Sequence, residues 1–68
     1  MNGKKVHYTT RGLKARIGKR VKLVSWFGSF DTGKLVRATK EGFELETKDG
    51  AYWLGIELFY SWQEVSEK

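Results

Sequence analysis

The 68-residue chain contains no cysteine, no proline and a single histidine, His7. Disulfide staples are therefore excluded, and a zinc site, which draws on several Cys and His ligands, lacks its donors. Acidic residues are missing from one whole stretch. Residues 1 to 30 carry Lys4, Lys5, Arg11, Lys14, Arg16, Lys19, Arg20 and Lys22 with no Asp or Glu, whereas residues 31 to 68 carry all eight acids against five cations. The net charge of +5 thus divides into +8 in front and −3 behind. Long apolar runs are absent as well. Val24-Ser25-Trp26-Phe27 and Ile56 to Tyr60 fall far short of the roughly 20 residues that span a bilayer, and Met1 to Lys5 leads into no apolar signal core. The reading is a cytoplasmic protein with no membrane partner, in keeping with the lack of cysteine.

What is present is a compact composition: 40% hydrophobic residues, with ten aromatics among them, which argues against disorder. A chain this short buries only about 60% of its unfolded surface. The apolar gain then nearly cancels the entropy of ordering the chain, and small domains in that position add a disulfide, a metal or self-association. With the first two excluded, oligomerisation is the remaining staple.

Met1 to Tyr8 has no clear period and reads as a flexible basic arm, with an extended piece at Val6 to Tyr8; residues 9–68 form one domain. Thr9 and Thr10 offer caps for a short helix, Arg11 to Ile17, with Leu13 and Ile17 on one face and Gly18 as its stop. From Lys19 the apolar period becomes two. Strands are expected at Arg20 to Trp26, Phe30 to Ala38, Phe43 to Thr47, Ala51 to Leu58 and within Ser61 to Val65. Turns fall at Phe27-Gly28-Ser29, at Thr39 to Gly42 and at the Asp49-Gly50 hairpin signal. Gly33 marks a bend where a curved strand wants no side chain. The fold class is mainly β: a short N-terminal helix followed by a strongly bent five-stranded barrel of the SH3-like type.

The letters Gly28 to Lys34 satisfy the first seven positions of a phosphate-binding P-loop. The eighth needs Ser or Thr for magnesium and is Leu35, and the flanks are strands where a helix must follow. His7 lies in the arm with no predicted carboxylate or hydroxyl partner for acid–base work. Asp31 and Asp49 occupy turn positions that Asp favours for local reasons, and Glu41, Glu44 and Glu46 form a solvated face. The expectation is no enzyme, no catalytic residue, no metal and no cofactor.

The aromatics Trp26, Phe27, Phe30, Phe43, Tyr52, Trp53, Phe59, Tyr60 and Trp62 exceed what the interior of so small a barrel holds. Some must lie at a surface, either between subunits or under stacked bases.

The order of residues resembles the Sm/LSm-like family. Leu13 to Leu23, with Gly18-Lys19-Arg20-Val21, is similar to its N-terminal helix running into the first strand. Gly28 and Gly33 with Lys34-Leu35 resemble its first motif, and Trp53-Leu54-Gly55-Ile56-Glu57-Leu58 is similar to its second. The resemblance spans about residues 10–65. It implies a bent five-stranded barrel that assembles into a homo-oligomeric ring through its fourth and fifth strands and binds single-stranded RNA. The pocket-equivalent positions are Thr39, Lys40, Phe43, Leu54 and Gly55. Thr39 stands near the family's Asp, Gly42-Phe43 where it has Met-Asn, and Leu54 where it has Arg, so the groups that select uridine are missing.

RNA binding is accordingly expected on the basic arm and helix, with Lys4, Lys5, Arg11, Lys14 and Arg16 as phosphate contacts and Tyr8 as a stacker. The alternative is an adaptor of SH3-like or Sm-like type that works by protein contact without nucleic acid, presenting Trp53, Phe59, Tyr60 or Trp62.

Overall fold

Alternating apolar residues build the sheet. In β2 (Arg20–Ser25) Val21, Leu23 and Ser25 are buried and the residues between them are not. The computed structural model describes residues 5–65. In it, β2 is joined by β1 (Val6–His7), β3 (Phe30–Thr39), β4 (Gly42–Thr47), β5 (Gly50–Gly55) and β6 (Phe59–Glu64). All pairings are antiparallel, in the order β1-β6-β2-β3-β4-β5.

Two features of the expected architecture are corrected. No N-terminal helix forms: a 3-10 turn, Lys14–Arg16, stands where Arg11 to Ile17 was expected. Gly12 adopts φ +85°, which breaks the right-handed path one residue into the segment. The N–H groups of Leu13, Ala15, Arg16 and Ile17 then bond the carbonyls of Thr10, Gly12, Leu13 and Lys14, each three residues back. Leu13 is fully buried and Ile17 is exposed, because a tight turn carries only one of the two residues inward.

Nor is there a closed five-stranded barrel; the six strands make one open sheet with β1 and β5 at its edges. Closure would need β5 to pair across the gap. Instead a second 3-10 turn, Ile56–Leu58, leads the chain away from β5, and β1 takes part of the outer edge of β6 through Val6 opposite Gln63 and His7 opposite Trp62.

The open sheet is nevertheless strongly curled. Its Cα atoms span 31 × 24 × 22 Å, whereas a flat sheet is little thicker than its pleat. Register shifts between Leu35 and Arg37 and between Val24 and Ser25 add local twist. Gly33 permits the tightest approach: a Cβ there would lie 2.6 Å from the backbone carbonyl oxygen of Glu46. Inside the curl sit Leu13, Val21, Leu23, Leu35, Phe43, Leu45, Leu54 and Trp62. Among the described residues no helix is long and apolar enough to cross a membrane.

Candidate nucleic-acid interface

Two loops that are far apart in sequence meet at one end of the sheet. The β3–β4 turn is shaped by Thr39, whose Oγ1 accepts the Glu41 N–H at 3.1 Å and donates to the Gly42 carbonyl at 3.3 Å. Lys40 is thereby left exposed at the turn. The Glu41 carbonyl accepts the Ile56 N–H at 2.9 Å, tying this turn to the start of the second 3-10 turn. On the other side, burial of Leu13 anchors the first 3-10 turn and leaves Lys14 exposed.

Between them lies a shallow pocket of about 400 Å³. Ala38, Phe43 and Ile56 supply its apolar lining, and Thr10, Thr39, Lys14 and Lys40 its polar part. Phe43 is almost wholly buried, so it serves as wall; Ile56 offers the open apolar surface. Two lysines beside an apolar lining suit an anionic ligand with an apolar part.

Of the residues expected at the site, Lys14, Thr39, Lys40 and Phe43 come together here. Leu54 is buried in the core, and Gly55 pairs with Gly42 while a Glu57 carboxylate oxygen lies 3.0 Å from where a Cβ on Gly55 would stand. Arg11 and Lys5 are exposed and outside this pocket. Tyr8 is exposed too, its ring edge-on to Tyr60 at 5.4 Å. Arg16 is committed elsewhere: its Nε donates to Glu64 Oε1 at 3.0 Å and its guanidinium lies 5.6 Å from the Trp62 ring centre. Lys4 lies outside the described residues.

Comparison with protein-family models, with curated proteins and with solved structures returns no match for this chain.

A larger groove, about 580 Å³, lies where β3 approaches the β4–β5 turn. Its Arg20, Lys34 and Lys48 are offset by Asp31, Glu46 and Asp49, so its charges cancel and a polyanion gains little there. Size alone therefore does not select the site. Among the described residues no cluster of three or more His, Cys, Asp or Glu side chains is placed to hold a metal.

The aromatics divide clearly. Trp62 is in the core and Phe59 is packed against it, so neither is freely presented to a partner, while Trp53 and Tyr60 are about half exposed. Sequence reasoning found Lys14 and Lys40 separately but missed that they share a pocket. The signal was indirect: Leu13 had to dock, and its neighbour Lys14 had to land near whatever it docked on.

Proposed function

We propose that this protein binds single-stranded RNA with little sequence selectivity, through the pocket at the β3–β4 turn and the cationic surface beside it. The observation that carries the reading is the convergence of Lys14 and Lys40 on one apolar-lined pocket. Arg11, three residues before Lys14 in the same acid-free stretch and exposed, adds to the positive charge of this segment. Phosphates dominate the affinity of such an interface, and Ala38 and Ile56 offer apolar contact with no side-chain hydrogen-bonding group to select a base. Thr39 spends its hydroxyl on the turn, which fits binding without base selection. A cytoplasmic location belongs to this proposal.

Fluorescence anisotropy with short oligouridylate and oligoadenylate, at several salt concentrations, tests it. Similar affinities that weaken with salt at a log–log slope of about −0.7 per phosphate contact are expected. No binding at low salt overturns it.

A further inference from the structure

The tip of the β2–β3 hairpin keeps three aromatic rings in solvent. Trp26, Phe27 and Phe30 are 59%, 63% and 57% exposed, an arrangement that costs solubility unless something covers it. Hydrogen bonds close the tip. The Ser25 N–H bonds the Ser29 carbonyl at 2.8 Å, the Gly28 N–H bonds the Ser25 carbonyl at 2.9 Å and the Trp26 N–H bonds the Leu58 carbonyl at 3.0 Å. The Ser25 and Ser29 hydroxyls pair at 2.9 Å. Much of the tip's polarity is thus satisfied internally, which lowers the cost of leaving water.

Charge is graded along the hairpin. Cross-strand pairs on its outer face run from Val24 opposite Phe30 at the tip, through Lys22 opposite Thr32, to Arg20 opposite Lys34. Each step is two residues, about 7 Å. The cations therefore stand about 7 Å and about 13 Å behind the apolar end. Lys34 stands opposite Glu46 on β4 and shares with Arg20 the groove whose charges cancel, so Lys22 is the cation that the outer face keeps beside the tip; Asp31, paired with Leu23, is on the opposite face.

We propose that this hairpin docks on an anionic lipid bilayer, with Trp26, Phe27 and Phe30 in the interface and Lys22 at the head groups. Interfacial elements bury apolar surface about 5–10 Å into the head-group boundary and draw cations toward anionic lipid. Nucleic acid fits the tip less well. Lys22 Nζ sits 4.4 Å from the Phe30 ring centre and Trp26 leans on Phe27 at 5.1 Å, which leaves fewer ring faces for stacked bases. A membrane contact of this kind needs no spanning segment.

Flotation of the intact chain with phosphatidylcholine vesicles, with and without phosphatidylglycerol, tests the proposal. The chain is expected to float with the anionic vesicles only. The double variant Trp26→Ser/Phe27→Ser, at exposed positions that leave the core intact, should partition at least about tenfold more weakly. In a Trp53→Phe background, where Trp62 is buried, brominated lipid should quench Trp26 emission. Absence of flotation, equal flotation of the double variant, or unquenched emission overturns the proposal. So does a double variant that keeps its flotation but loses oligonucleotide affinity, since that outcome makes the tip a nucleic-acid contact.

Discussion

The Trp62 indole Nε1 donates a 2.9 Å hydrogen bond to the carbonyl oxygen of Thr9, 53 residues earlier in the chain. His7 stacks on the same ring at 4.3 Å and Arg16 approaches it at 5.6 Å. One buried side chain thus fastens the N-terminal segment to the sheet. Trp62→Phe keeps an aromatic ring but removes the donor and leaves a small cavity, and should cost about 1–3 kcal/mol. A urea titration checks this through a lower midpoint at unchanged slope.

Two glycines should respond differently to alanine. At Gly33 a Cβ would meet the Glu46 carbonyl oxygen at 2.6 Å, so β3 and β4 must separate at a cost of about 2–3 kcal/mol. Gly18 has φ +94° and open space around it, so only the left-handed backbone penalty of about 1–2 kcal/mol applies. Thermal unfolding of the two variants should rank Gly33→Ala below Gly18→Ala.

Neighbouring cations on the first 3-10 turn should separate binding from stability. Lys14→Gln combined with Lys40→Gln should lower the salt slope of oligonucleotide binding by about 1.4, two contacts at about 0.7 each. Arg16→Gln should leave that slope unchanged, because Arg16 is paired with Glu64. It should instead cost about 0.2–1 kcal/mol of stability, as partly exposed ion pairs do. Anisotropy and urea unfolding on the same variants distinguish the two effects.

Burial, and then the nearby Asp31 carboxylate, raise the Tyr52 phenol above its ordinary pKa of 10.0. A pKa raised by folding means that the neutral phenol stabilises the native state. That contribution is complete below pH 10.0, the unfolded value, and is lost as pH rises through the folded one. Stability should therefore fall on the alkaline side of that point, and Tyr52→Phe should flatten the fall. Urea midpoints measured across the alkaline range check it.

β1 covers β6 only at Trp62 and Gln63, while β5 ends the sheet along Gly50–Gly55. Deleting residues 1–8 uncovers that part of the β6 edge, and exposed edges invite pairing with another copy. The shortened chain should show a sedimentation coefficient that rises with concentration more steeply than that of the intact chain. Identical behaviour would mean that β1 guards nothing.

Residue order carried the strands because their information is local. The alternation in Val21-Lys22-Leu23 and in Phe43-Glu44-Leu45, bounded by turn residues, specifies which face is buried wherever the pairing occurs. Gly33 could be recognised as a bend for the same reason, although its partner could not. The N-terminal helix failed on a competition that is not local: Leu13 docks in the core while Gly12 turns left-handed, and nothing in the heptad of residues 11–17 says which preference prevails. The Lys14 and Lys40 pocket was half legible, since each lysine stood out within its own segment.

Residue order alone settled the acid-free front, the lack of disulfide chemistry and the two-residue alternation of the sheet. Tertiary structure decided which aromatics are inside: Trp62 is buried because β6 lies between β1 and β2, while Trp26 and Phe27 stay outside at the end of a hairpin. It also decided that the sheet stays open, since β1 occupies part of an edge that closure would use. Both outcomes depend on which strands become neighbours. That is a sum of long-range contacts, and no window of the sequence contains it.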